Sequence, residues 1–177
     1  MCSWLPRGER VFFFIENGNG VLIKTENGVN SMRCILPQTF LDAKNHPHNH
    51  TLCDGIIVHE KKLNPPILRL LLLDVLYING MSLKTLPFVQ RIHALKKEVL
   101  NKIHERKELE KEKTQQAEVK SIGYRECWPI DQLKKIKQSL LPSLTHDNDG
   151  ISVFDAKAPY VYGDTESRYW KYVGDLD

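Results

Sequence analysis

Short apolar runs cut by Asn-Gly steps are the feature that most narrows what this chain can fold into. Val11 to Ile15 is continuous and rich in aromatic and β-branched residues. Gly20 to Thr25 is a second such run, and Asn17-Gly18-Asn19-Gly20 lies between them. Asn-Gly steps supply the positive φ angles of a tight hairpin turn, so the pair reads as a hairpin. Asn27-Gly28 offers a further turn before Val29 to Leu36, and the stretch to Pro37 reads as an antiparallel meander. Leu52 to His59 and Ile67 to Ile78 are two more strand candidates, nearly continuous in apolar character as buried strands are. A loop with Lys61-Lys62 and Pro65-Pro66 joins them, and Asn79-Gly80 closes the second.

From Pro87 the period changes. A proline at a helix start, then Phe88, Ile92, Leu95, Val99 and Ile103, gives an apolar stripe at helical spacing. Beyond Ile103 the stripe fades into mixed charges. Residues 105–120 read as a solvated helix end or linker within one domain spanning 1–177. Asp131 to Leu141 is a second short helix with Leu133, Ile136 and Leu140 on one face, ended by Pro142. Gly150 to Tyr172 returns to strand and turn character around Pro159 and Gly163. Strands, helices, then strands predict an α+β domain with antiparallel sheets and flanking helices.

With 41% apolar and 27% charged residues, the chain fits an ordinary globular domain and neither a fibre nor a disordered chain. A net charge of +3 does not by itself argue for nucleic acid. Cys2, Cys34, Cys53 and Cys127 form no CxxC pair, which disfavours a zinc ribbon or a redox dithiol. His46, His48 and His50 alternate, but Pro47 and Asn49 make the segment a loop rather than a metal-binding strand. The run Ile67 to Leu73 is too short to span a bilayer, so no membrane partner is expected.

Three segments carry the chemistry: Pro6-Arg7-Gly8-Glu9-Arg10, Thr51 to Val58, and His146-Asp147-Asn148-Asp149-Gly150 with Trp170-Lys171 beyond. In this order they resemble the covalent nucleotidyltransferase superfamily of mRNA guanylyltransferases and ATP- or NAD-dependent ligases, the capping enzymes above all. Arg10 with the strand, turn, strand and Leu36-Pro37 after it is similar to the segment beyond the family's Lys-x-Asp-Gly-x-Arg motif. Thr51 to Val58 resembles its Thr-Leu-Leu-Asp-Gly-Glu strand, and Leu72 to Asn79 its Asp-Ile-x-x-x-Asn strand. Phe88 to Arg91 resembles its Phe-x-x-Arg, and Asp149-Gly150 its fourth motif. Pro159-Tyr160-Val161 looks like the stretch before its final Lys-Trp-Lys, to which Trp170-Lys171 is similar.

The resemblance implies a nucleotidyltransferase domain that binds GTP and passes GMP through a lysyl adduct to a diphosphate RNA 5′ end. It implies Mg²⁺ at Asp149, and nucleotide contacts from Arg10, Asp54, Gly55, Asp149, Gly150, Trp170 and Lys171. It further implies a nuclear location and a partner such as RNA polymerase II or a triphosphatase domain. The departures matter as much. Leu5 stands where the attacking lysine is expected, Arg7 where the aspartate is, Ile56 for the glutamate and Tyr169 for a lysine. Nothing after Asp177 corresponds to the family's OB-fold, so none is expected in this chain. These departures imply a domain inactive alone, with two explanations open: an incomplete or divergent capping-enzyme chain, or a non-catalytic cap-binding module. The second resembles the snurportin adaptors, whose first motif also lacks the lysine.

Overall fold

In the computed structural model the described residues are 1–26, 29–34, 40–62, 64–101, 119–161 and 170–172, with backbone alone for 25–26, 29–34 and 170–172. Among these residues ten strands run β1 (Cys2–Pro6), β2 (Glu9–Glu16), β3 (Asn19–Glu26), β4 (Val29–Cys34), β5 (Thr51–Glu60), β6 (Ile67–Ile78), β7 (Met81–Ser82), β8 (Val119–Tyr124), β9 (Asn148–Val153) and β10 (Trp170–Tyr172). Helix α1 (Phe88–Ala94) continues through wider π-type turns over Leu95–Leu100. Helix α2 is built of short pieces over residues 130–143.

The strands form two sheets. The larger has the order β4-β3-β2-β5-β6-β7, with β8 also on β6; the smaller is β1-β9-β10. The hairpin expected from Asn17-Gly18 is present, with φ of 49° and 75° at those two residues. Asn79-Gly80 closes β6 in the same way, at 49° and 78°. Alternation along β2 buries Val11, Phe13 and Ile15 toward α1. There they meet Phe88, Ile92, Leu95 and Val99, so the helical stripe has its predicted partner. On the other face of the larger sheet, Ile56, Val58, Leu71 and Leu73 pack with Trp4 of β1 and with Leu140, Leu141 and Leu144 at the end of α2. Cys2 and Ile151 bury the smaller sheet against Leu133 and Ile136 of α2. The apolar seam between the two sheets thus takes in α2, while α1 covers the opposite face of the larger sheet.

Several details depart from the sequence reading. β1 is not expected there, because a Trp-Leu-Pro segment beside charged residues shows no alternation until its partner β9 is known. Residues 119–120 belong to β8 rather than to the charged linker, and β8 runs parallel to β6, so the larger sheet is mixed rather than purely antiparallel. Pro142 does not end α2. It lies in the last turn, Leu141–Ser143, one residue before α2 stops, and Leu144 turns the chain to extended backbone. Asn27-Gly28, Leu36-Pro37, Ile103, Gly163, Tyr169 and residues 105–118 lie outside the described residues.

Candidate functional site

The expected motifs fall on facing elements of the two sheets. In β1 the ladder to β9 is irregular, Trp4 pairing with Ile151 and Pro6 with Asn148. Leu5 therefore lies alongside the Asp149-Gly150 step. Gly150 has φ of 97°, a conformation glycine adopts freely, and its N–H is held by Asn148 Oδ1 at 3.1 Å. On the far side of β9, the register sets Trp170 opposite Val153 and Lys171 opposite Ser152. Leu5, Asp149, Gly150, Trp170 and Lys171 are thus gathered on three adjacent strands.

The connection from β1 to β2 is fastened to the start of β9. The Arg7 backbone N–H donates to the Asp147 carbonyl at 3.0 Å. The Arg7 guanidinium donates twice to Asp149 Oδ1, from Nε at 2.8 Å and from Nη2. This hydrogen bond and the carboxylate's charge raise the Arg7 pKa further. Lys61 Nζ donates to Asp147 Oδ2 at 2.5 Å, and that bond holds the Asp147 carboxyl below its usual range. Gly8 packs so close to β5 that a Cβ would collide with the Ile57 carbonyl, so the motif's glycine answers a steric need.

Arg10 and Asp54, predicted together, are in direct contact. Arg10 grips both carboxylate oxygens, Nε on Oδ1 at 2.5 Å and Nη2 on Oδ2, which is the bidentate fork a guanidinium makes best. Asp54 is buried, while nearly half of the Arg10 side chain is open to solvent. The Tyr160 hydroxyl completes the set by donating to Asp54 Oδ2 at 3.0 Å. Burial and the Asp54 charge push its phenol well above the ordinary range. Gly55 sits under Leu70 and Leu72 with no room for a side chain, a packing role. Ile56, where the resemblance expects a glutamate, is only 8% exposed and lies in the apolar seam.

Asp74, which the sequence shows inside an apolar run and in need of a partner, has one. On β6 it follows Leu70 and Leu72 on the face toward α1, where Arg91 donates from Nε to Oδ1 at 2.9 Å and from Nη2 to Oδ2 at 2.7 Å. Arg91 also ties the carbonyls of Leu86 and Ala158. Burial raises the Asp74 carboxyl's pKa, opposed by Arg91 and by the Val75 N–H.

Sequence reading misses a second buried network. His146 Nε2 accepts from the Trp4 indole at 3.1 Å, so the neutral ring carries its proton on Nδ1, 3.7 Å from Glu60 Oε2. Thr145 and Arg69 also donate to Glu60. A signal for it exists: Glu60 comes after Asp54, Ile56 and Val58 at even spacing and so shares their inward face. The Tyr160 and Lys61 contacts carry no such periodic signal, because both residues lie in connections. His48 is buried on Thr51, Asn79 and the Glu98 carbonyl, as part of the loop structure. Cys2 and Cys53 are buried free thiols, their pKa raised by burial. Among the described residues no group of three His, Cys, Asp or Glu side chains could hold a metal ion. None of the helices described there is long and apolar enough to cross a membrane.

This two-sheet architecture is shared with a ligase. The structure of mycobacterial DNA ligase D complexed with ATP and MES matches with a TM-score of 0.54 at 12% identity, over 92% of this chain and 50% of that one. At that identity the likeness defines the fold, a nucleotidyltransferase one, and this chain spans about half of the ligase chain. The family model for the mRNA capping enzyme catalytic domain matches residues 1–173, and the chain belongs to that family. No curated protein sequence matches it.

Proposed function

We propose that this chain binds a guanine nucleotide, GTP or the guanine end of a capped RNA, without forming a lysyl-GMP adduct. Family membership supports the nucleotide and the RNA 5′ end. The observation that carries the second half is Leu5 on β1 beside Asp149-Gly150. There the first and fourth motifs of the resemblance meet, and the residue at the attacking position has no nucleophile. Ile56 adds to the case, because its apolar side chain is committed to the seam and offers no contact to ribose or metal.

In this reading the ligand lies between the exposed guanidinium of Arg10, the Asp149-Gly150 turn and the strand carrying Trp170 and Lys171. Arg10 is fixed at one side by Asp54, which Tyr160 holds in turn, so it meets the ligand already oriented. The resemblance also implies Mg²⁺ at Asp149. The donor set does not fit that ion well, for Asp149 is taken by Arg7, Asp147 by Lys61 and Asp54 by Arg10 and Tyr160. Each candidate carboxylate is already balanced by a cation of the protein. No step is therefore assigned to a metal. An RNA 5′ end as ligand carries a nuclear location with it.

Incubation with α-³²P GTP and Mg²⁺, followed by denaturing electrophoresis, tests the reading. The expected result is no labelled band, together with saturable binding of GTP in an equilibrium titration. A labelled band would refute the missing nucleophile. Binding of a methylated cap analogue with none of GTP would transfer the chain to the cap-adaptor class.

A further inference from the structure

We infer that Arg7 stands in for the divalent cation, so that the phosphates of a ligand are met by its guanidinium and binding needs no metal. The inference rests on the reading above for the guanine part of the ligand, but not for the phosphate part.

The geometry argues it in three steps. First, Arg7 donates twice to one oxygen of Asp149, which fixes the guanidinium at the head of β9. An arginine has five N–H donors in a planar fork, so three remain to point elsewhere. The side chain is 64% exposed, so those donors are open to a ligand rather than enclosed in protein. Second, the cations around this position are each oriented by a carboxylate, with Asp54 doing so for Arg10, and the charges balance in sum. Arg7 and Lys61 stand beside Asp149 and Asp147 respectively, and Arg10 comes next on β2. Planar recognition of phosphate oxygens is what a guanidinium so placed does well.

Third, a cation of the protein and a divalent ion compete for the same carboxylate. Mg²⁺ takes one or two carboxylates plus substrate phosphates, and keeps several waters. An ion on Asp149 would sit a few ångströms from the Arg7 charge. Even at the dielectric constant of water, that repulsion lowers its affinity by about tenfold or more. Surface ion pairs are individually weak, so the pair does not owe its place to stability. Its effect is on what the carboxylate can still bind.

The experiment uses the whole chain with three probes. Binding of GTP and of inorganic tripolyphosphate is measured with EDTA and again with excess Mg²⁺, and Mn²⁺ binding is followed by electron paramagnetic resonance without nucleotide. For the natural sequence we expect tripolyphosphate affinity in EDTA within about twofold of that in Mg²⁺, and no stoichiometric Mn²⁺ site. Arg7→Gln should weaken tripolyphosphate about tenfold in EDTA, the loss of one charge-assisted contact. It should also make tripolyphosphate binding stronger in Mg²⁺ than in EDTA, a difference that a second change, Asp149→Asn, removes. Arg7→Lys should restore part of the metal-free affinity, which a purely structural role for the pair would not produce. Loss of tripolyphosphate binding in EDTA by the natural chain would overturn the inference, as would an Mn²⁺ site there that Asp149→Asn abolishes. Metal-free tripolyphosphate binding with no binding of GTP or cap analogue would keep it and remove the guanine reading instead. Absence of all phosphate binding removes both.

Discussion

A carboxylate inside an apolar strand such as Leu70–Ile78 must be paired or sit at a site, because an isolated charge there is too costly to bury. Asp74 is that carboxylate, and Arg91 meets it at 2.7 and 2.9 Å, itself only 1% exposed. Replacing one partner of such a pair strands the other in the core. Asp74→Ala is therefore expected to lower stability by about 3–5 kcal/mol, read from urea unfolding midpoints. An effect under about 1 kcal/mol would mean that water reaches Arg91. The need for a partner is legible in the sequence, and so is the face, which Asp74 shares with Leu70 and Leu72, but the partner is not, since Arg91 lies on a helix whose docking the strand pattern does not fix. Arg10 and Asp54 are legible as separate candidates, but their direct contact depends on the register of β2 against β5.

At the scale of elements, the sequence reveals what is local. The β2–β3 hairpin comes from Asn17-Gly18, whose backbone angles are positive as the turn requires. Gly18→Ala would put a Cβ on φ of 75°, at a strain of about 1–2 kcal/mol. A fall of about 2–6 °C in Tm is the expected outcome in a thermal melt. No change would show that the turn can adopt another type. Helix α1 is equally plain, since its stripe of Phe88, Ile92, Leu95 and Val99 is complete within one helical run. β1 and β8 are hidden for the opposite reason. Each is an element only because a distant strand receives it, β9 for one and β6 for the other.

The candidate site belongs to the scale of the whole molecule, because its parts come from both sheets. Family resemblance marks Arg10, Asp54, Asp149 and Lys171 by order along the chain, while the contacts of Arg7, Tyr160 and Lys61 arise only when the sheets meet. Titration should report on that meeting. At the seam, His146 has its pKa lowered by burial, against the opposing pull of Glu60. Glu60 is lowered by Thr145, His146 and Arg69, against its own burial. For both groups the unfolded chain takes up its proton at a higher pH than the folded one. Their contribution is thus present above the unfolded values, near 6.5 for the imidazole and 4.5 for the carboxylate, and is lost as pH falls through the folded ones. Urea midpoints should decline from about pH 7 to about pH 5 and further below 4.5, accompanied by a change in tryptophan emission as Trp4 loses its acceptor. His146→Gln should flatten the upper part of that decline; an unchanged slope would exclude His146 as its source.

The smaller sheet has a further consequence, for synthesis in time. Its first strand, β1, is held by β9 and its last, β10, by the other edge of β9, with Cys2 opposite Val153 and Trp170 opposite that same Val153. A ribosome releases Cys2 about 150 residues before Val153, so apart from the bridge of Cys2 to Trp128 that first strand waits for its ladder partner. Through that interval Trp4 and its neighbours travel as an unpaired apolar edge, a template for unwanted association. The hairpin of β2 and β3 can close long before, so the domain assembles from its middle outward and its beginning is among the last parts to settle.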